Sequence, residues 1–322
     1  MNITRKTLEE KQIWIYAIIL PFALGFGYLW DHSASLTSLI EPVIGILLFS
    51  MFCQIPFLEL KKTFKDRAFF KALLLGNFIF IPMLAFTLSH LFLKDPILIL
   101  GVLLVLLTPC IDYVIVFTHL GKGDSQSILS ATPLLFVLQM VLLPLYFFLF
   151  IGADSLSIIE ISPFVDAFLY LIVIPFILAI LTQLYSEQHS FGKSILTFSG
   201  WLPVPFMALT LFVVLASQTS LLVNNLTSIF IVLPIYILFH LIAPYVGILT
   251  SKIFKVNAVN TRTIAFSVST RNSLVVLPMA LALPAPNNFI VAAVIVTQTV
   301  VELAFQLIYI QVIPMAVKKE LI

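Results

Sequence analysis

An all-α polytopic membrane protein of ten transmembrane helices, arranged as a 5+5 inverted repeat with broken, crossing helices four and nine, is the fold this sequence predicts. Three observations carry that reading. Of 322 residues, 61% are apolar and only 10% charged, far from the roughly 25% charged content of a soluble domain. Windows of about 20 apolar residues, the length that crosses roughly 30 Å of hydrocarbon, recur ten times along the chain. With the N-terminus placed in the cytoplasm, fifteen of the seventeen Lys and Arg residues fall on that side; Lys94 alone falls on the other and Arg271 lies within a span. Excess positive charge marks the cytoplasmic face.

The spans follow in order. The first runs from about Ile13 to Trp30 and the second from about Leu36 to Phe57. About 19 apolar residues follow MNITRKTLEEKQ, more than the roughly 7–15 of a signal peptide's apolar region, so this stretch is read as a span and not a cleaved leader. The charged segment ELKKTFKDRAFFK leads into the third, about Ala72 to Phe92, and the fourth runs from Pro96 to Leu120, closed by GKGD. The fifth covers Ile128 to Ile151, the sixth Pro163 to Leu184 and the seventh Trp201 to Ala216. The eighth, Ser228 to Leu249, is followed by TSKIFKVNAVNTRT; the ninth runs from Ile264 to Leu283 and the tenth from Phe289 to Ala316. Trp30 and Trp201 sit at span ends as interfacial anchors. Both termini and a cytoplasmic (plasma) membrane location follow from the charge pattern.

Five spans per half, residues 1–155 and 156–322, make the second half enter the membrane from the opposite face. Span four then corresponds to span nine. The halves share no strong residue-level similarity, so the repeat rests on topology alone.

Both of those spans are interrupted. Thr108–Asp124, TPCIDYVIVFTHLGKGD, puts a proline, a thiol and a carboxylate into bilayer, and Ser267–Pro278, SVSTRNSLVVLP, puts an arginine there. Pro109 removes a hydrogen bond to the carbonyl of Val105 and clashes with it, so the helix breaks just before it; Ser269, Thr270 and Pro278 mark the second break. Paired interruptions in two halves point to a transporter's binding site. Thr108 is expected to cap the half-helix that restarts, with Pro109 at its first position and Cys110 at its second, where free N–H groups favour a thiolate. A small buried packing residue is the plainer role for Cys110, and the one preferred for Cys53. Neither cysteine implies a disulfide framework.

Asp112 costs roughly 2.5–3.5 kcal/mol near a helix centre, so it is expected to face a cavity, pair, or carry protons. Arg271 is placed alike on span nine. The two are expected partners if the broken helices cross, either closing the crossing or contacting substrate, with Asn272 in the same substrate-binding set. Glu302, with Gln298 and Gln306 on the same face of span ten, is placed to line a cavity and is the second proton-coupling candidate. His240 and Asn77 read as interhelical hydrogen-bond partners. No His-rich metal pattern, G-x-S-x-G, H-E-x-x-H or Walker loop occurs, so no enzyme activity, resident cofactor or nucleic-acid partner is indicated. The bilayer, protons and a small anion or metalloid are the partners implied; the oligomeric state is left open.

The arrangement resembles the bile acid:sodium symporter superfamily, and within it the arsenite permeases of arsenical-resistance systems. The resemblance spans nearly the whole chain. It is carried by the Lys122–Asp124 turn after span four, FLELKK at Phe57–Lys62, and TRNSLVVLPMALALP at Thr270–Pro284. It implies that Cys110 matches a span-four cysteine that binds trivalent arsenic. Departures exist: Leu274 stands where the permeases carry a glutamate, while Val114-Ile115 and Ser267 with Arg271 replace polar residues of the sodium-coupled branch. Sodium coupling is therefore not expected, and Asp112 becomes the leading proton-coupling candidate. Three functions are in view. One is efflux of arsenite or a related trivalent metalloid by proton antiport, with Cys110 as the soft ligand. The second is a sodium-independent organic-anion transporter, with Arg271 and the half-helix N-termini holding a carboxylate. The third is a membrane sensor or partner subunit that moves no solute.

Overall fold

The computed structural model describes residues 5–30, 32–54, 66–111, 113–151, 169–224, 226–281, 283–284 and 286–318. They form helices α1 (Arg5–Leu29), α2 (Thr37–Phe52), α3 (Arg67–Phe92), α4 (Pro96–Leu106), α5 (Val114–Leu120), α6 (Ser125–Ile151) and α7 (Ile174–Gln188). α8 (Ser190–Ser199), α9 (Pro203–Asn224), α10 (Leu226–Ile253), α11 (Ala258–Ser269), α12 (Ser273–Leu281) and α13 (Asn287–Ala316) complete them. Among the described residues there is no strand, only one isolated antiparallel bridge between Pro109 and Arg271. Five stretches are long and apolar enough to cross a membrane: Ser33–Phe52, Arg67–Phe92, Ser125–Phe150, Ile229–Ile253 and Asn287–Ala316; α8 with Pro203–Ser217, bent by 47°, makes a sixth. The chain is a multi-pass membrane protein. The expected end of span two beyond Gln54 and the expected start of span six before Leu169 lie outside the described residues.

Two compact units are present, and each takes stretches from both sequence halves. The first comprises Met1–Leu58, Ile161–Leu226 and Leu277–Phe289. In it α1 packs on α9 at a glycine: a Cβ on Gly27 would collide with the Ala216 carbonyl and the Thr219 hydroxyl. Small residues let membrane helices approach this closely. Trp14, Ile18, Phe22, Tyr28 and Leu29 leave α1's other side exposed and apolar, as hydrocarbon requires. The Gln183 side chain of α7 donates to the carbonyl of Phe52 over 3.2 Å, an interhelical bond for a polar group in apolar surroundings.

The second unit comprises Glu59–Glu160, Thr227–Val276 and Ile290–Ile322. Its helices start where side chains satisfy the unpaired N–H groups of a first turn. Asp66 accepts from Phe69 N at 3.0 Å, Asp95 from Ile97 N at 2.8 Å with Pro96 next in line, and Asn257 from Asn260 N at 2.9 Å. Two glycines hold α11 from either side. A Cβ on Gly76 of α3 would lie 2.8 Å from Val268, and one on Gly247 of α10 would lie 2.7 Å from the Ala265 backbone.

The Gly121–Asp124 turn is pressed onto the same helix. Lys122 takes a left-handed φ of 57°, and its carbonyl accepts from Arg262 Nη1 at 3.0 Å while Arg262 Nε and Nη2 donate to Val317 O at 3.0 and 2.8 Å. Asp124 then caps α6, accepting from the N–H groups of Gln126 and Ser127 at 3.0 and 3.1 Å. The lysine is needed for its backbone, the aspartate for its carboxylate, and both glycines for want of a side chain. A Cβ on Gly121 would collide with the buried Phe266 ring, whereas one on Gly45 of α2 meets nothing within 4 Å. Gly121→Ala is therefore expected to destabilise the protein by about 1–3 kcal/mol, the usual cost of overpacking. Thermal unfolding of the detergent-solubilised chain checks it, with Gly45→Ala expected to melt like the parent.

Candidate functional site: the crossing of two interrupted helices

α4 ends at Leu106 and α11 at Ser269, and the chain beyond each runs extended past the other, both inside the second unit. The contact is one pair of an antiparallel ladder. Cys110 N donates to Thr270 O at 3.0 Å, and Asn272 N donates to Thr108 O at 2.9 Å, flanking the bridged pair Pro109 and Arg271. In such a pair the central residues exchange no hydrogen bond, so Pro109, which has no N–H to give, occupies the one position where none is required.

The bridge takes donors that the helices would otherwise use, since an α-helix closes each carbonyl with the N–H four residues on. Leu106 loses Cys110 N to Thr270, and Val105 loses its donor because Pro109 has none. Thr108 repairs part of this: its hydroxyl lies 3.0 Å from Val105 O and 3.3 Å from Leu104 O. On the other strand Arg271 N donates to Glu302 Oε2 at 2.7 Å and so leaves Ser267 O open. Ser269 and Thr270 turn their hydroxyls back onto the α11 carbonyls of Ala265 and Phe266, each at 2.7 Å. The two open carbonyls receive the guanidinium. Arg271 Nη1 donates to Leu106 O at 3.4 Å, and Nη2 donates to Ser267 O at 2.7 Å and to Asn77 Oδ1 at 2.8 Å.

Asn77 reaches this place from a π-helical turn of α3, Gly76–Phe80, the kind of local insertion that recurs at functional sites. Its amide donates to Leu73 O at 3.1 Å and to Ser267 Oγ at 3.0 Å. The guanidinium carbon also stands 5.9 Å from the centroid of Phe239, within cation–π range.

α13 braces the crossing with one face. Gln298, Glu302 and Gln306, four residues apart, are all fully buried. Gln298 Nε2 donates to Glu302 Oε2 at 2.7 Å, and Gln306 Nε2 donates to Thr270 Oγ1 at 2.9 Å. The Tyr113 hydroxyl lies 2.6 Å from Glu302 Oε1 and 2.9 Å from Arg271 O.

Several expected placements change. The half-helix restarts at Val114, not at Pro109, because the bridge holds Thr108 and Cys110 extended. Thr108 closes the end of α4 instead of capping α5, and the N–H of Cys110 is spent on Thr270. Pro278 lies inside α12, which runs Ser273–Leu281. The second break is set at Thr270–Asn272 by the bridge, and a proline within a membrane helix is tolerated where neighbours re-satisfy the backbone. Asp112, expected to pair with Arg271, lies outside the described residues. Among the described residues the carboxylate bonded to Arg271 is that of Glu302, and it binds the backbone N–H. The ring nitrogens of His240 have no hydrogen-bond partner among the described residues; the ring stacks on Phe305, and its backbone carbonyl accepts from Tyr309. Sequence reasoning missed Tyr113; Asn77 is an interhelical hydrogen-bond partner as expected, bonding Ser267 Oγ, and what the sequence left out is its bond to Arg271. A tyrosine one residue past Asp112 gave no periodic signal, and only the fold brings position 77 to 271.

Three consecutive fully buried residues keep polar atoms without a hydrogen-bond partner among the described residues: Arg271 Nε, Asn272 Nδ2 and Ser273 Oγ. Asn272 Oδ1 meanwhile accepts from Val275 N at 3.3 Å, so the unpaired amide nitrogen stands at the N-terminal end of α12. Removing Glu302 would strand the donors of Arg271 N and Gln298 and weaken the anchoring of Tyr113, each buried donor costing about 1–3 kcal/mol. Glu302→Ala is expected to lower the melting temperature far more than Glu302→Gln, which keeps one acceptor oxygen; differential scanning fluorimetry in detergent reads the difference.

Residues 41–225, more than half of the chain, match the family model of the Sodium Bile acid symporter family. No curated protein matches the chain.

Proposed function

The chain belongs to the Sodium Bile acid symporter family, a family of membrane transporters and not of enzymes, and we propose that it is a sodium-independent secondary transporter of a small anionic solute, coupled to protons. The observation that carries this is the run of unpaired, buried donors at the start of α12, Asn272 Nδ2 and Ser273 Oγ beside Arg271 Nε. A half-helix N-terminus with donors pointing out of it is an anion site, and broken membrane helices use their N-termini in this way. On this reading the interrupted helices are the fourth and ninth of ten spans in a 5+5 inverted repeat, in a plasma membrane with both termini cytoplasmic, as the lysine and arginine distribution supports.

Glu302 is the residue proposed to carry the proton, with Asp112 as the other acidic group of the crossing segments. A hydroxyl has a single proton. Tyr113 can bond both of its neighbours at 2.6 and 2.9 Å only when Glu302 supplies the proton of the shorter contact. An ionised Glu302 accepts the Tyr113 O–H as a hydrogen bond and so releases the Arg271 carbonyl. Loading and unloading Glu302 thereby changes a bond at the crossing itself.

A second reading, efflux of arsenite or a related trivalent metalloid by proton antiport, is favoured by the place of Cys110, buried and joined to Thr270 at the crossing. A soft metalloid centre prefers soft thiolate ligands, whereas the donors left unpaired on Asn272 and Ser273 are hard nitrogen and oxygen. The anion reading therefore stands first.

Uptake into proteoliposomes under an imposed pH gradient, with choline replacing sodium, separates the two. Asn272→Leu and Ser273→Ala are expected to cut uptake of small carboxylates by at least about tenfold, the effect of roughly 1.4 kcal/mol per tenfold step, while Cys110→Ser leaves it intact. Arsenite uptake abolished by Cys110→Ser, with no carboxylate moved, would transfer the assignment to the metalloid. Strict dependence on sodium would sink both.

A further inference from the structure

We propose that the Arg271 guanidinium is a tethered cation seated in a cation cage that the crossing itself builds, and that a small neutral residue at 271 turns this cage into a site for a diffusible monovalent cation. The cage is made of oxygen dipoles: Leu106 O, Ser267 O and Asn77 Oδ1. Two of the three are carbonyls without their helical donors: Leu106 O has lost Cys110 N to the bridge, and Ser267 O has lost Arg271 N to Glu302. Each belongs to the last turn of a half-helix, α4 or α11, where the aligned peptide dipoles put their negative end. Unwound carbonyls and half-helix C-termini are the groups that coordinate cations in transporters with broken helices.

Among the described residues the guanidinium is held by oxygen dipoles, and no guanidinium nitrogen bonds a carboxylate; Glu302 holds the backbone N–H of Arg271 instead. The Phe239 face adds the π-electron wall that favours a cation over a neutral group. An arginine selected as an anion clamp would keep its two-pronged Nη edge for the ligand. Here that edge is spent on the protein, and only Nε is left over. The cage holds its cation covalently, so the crossing stays positive through every step of a transport cycle and needs no ion from solution to close it. This rests on the sodium-independent reading above and gives its physical cause. Its test reads cation binding through stability, so that it fails separately from any result on transport.

The full-length chain in detergent is compared as wild type, Arg271→Ala and Arg271→Lys. Thermal unfolding is followed against millimolar guanidinium, methylguanidinium, sodium or potassium chloride, with choline chloride holding ionic strength constant. The melting temperature of Arg271→Ala is expected to rise by several degrees, saturably, with at least one of these cations. Wild type and Arg271→Lys stay flat, and adding Asn77→Leu to Arg271→Ala abolishes the rise. A folded Arg271→Ala indifferent to all four cations, or a wild type that responds as strongly, overturns the proposal. If Arg271→Ala is recovered only as aggregate, its rescue as monodisperse protein by solubilisation in one of these cations supports the cage. Failure of all four to rescue it, where Arg271→Lys is well behaved, overturns it.

Discussion

Two hydrogen bonds, Cys110 N to Thr270 O and Asn272 N to Thr108 O, set the conditions that the rest of the second unit has to meet. In hydrocarbon an unsatisfied backbone group costs several kcal/mol, and extending two helices past one another strips several at once. The residue types around the crossing answer that debt one by one. Threonine and serine stand at 108, 269 and 270 because a hydroxyl can turn back onto the carbonyl three or four residues earlier. Proline stands at the central position because the bridge asks nothing of its nitrogen. Arginine stands opposite because one guanidinium reaches both open carbonyls with separate prongs, Nη1 to Leu106 O and Nη2 to Ser267 O.

Much of this was legible in the sequence and some was not, for reasons that separate cleanly. Five of the apolar windows contain helices long and apolar enough to cross a membrane, and a bent pair makes a sixth, because span length is dictated by bilayer thickness and not by tertiary context. Pro109 was readable as a break, since its defect is intrinsic to the residue. Pro278 looked alike and is not one, since whether a proline ends a helix depends on neighbours the sequence does not name. The restart of α5 was placed five residues early for the same reason: capping rules describe a helix end alone, and here the opposite strand competes for Thr108 and Cys110. The face of Gln298, Glu302 and Gln306 was visible from its spacing, while the partner of that face was not. Asn77 sits 194 positions from Arg271, and no local pattern reports such a distance.

The two kinds of polar group at the crossing divide its work. Those that bond the protein, the guanidinium prongs, the Thr108 and Thr270 hydroxyls and the Gln306 amide, fix the backbone. Among the described residues of the crossing, the donors left without a partner are Arg271 Nε, Asn272 Nδ2 and Ser273 Oγ at and just before the first turn of α12, and the acceptors are Gln298 Oε1 and Gln306 Oε1 on α13. On the proposed reading, the bonded groups are the rigid frame and the unpartnered donors are what it presents to a solute.

Glu302 joins the two halves of that division. It anchors the frame through Arg271 N and touches, through Tyr113, the carbonyl of the residue whose next two neighbours carry the unpaired donors. A proton arriving on Glu302 does not have to move a helix to be felt at Asn272. It redistributes hydrogens along Glu302, Tyr113 and Arg271 O, a path of two contacts shorter than 3 Å. Because hydrogen bonds in a low-dielectric interior polarise one another, that redistribution alters the peptide whose N–H, at Asn272, closes the bridge to Thr108. On the proton-coupled reading proposed above, coupling between proton and solute needs no separate gate: the same two backbone bonds that make the crossing possible would also register its protonation.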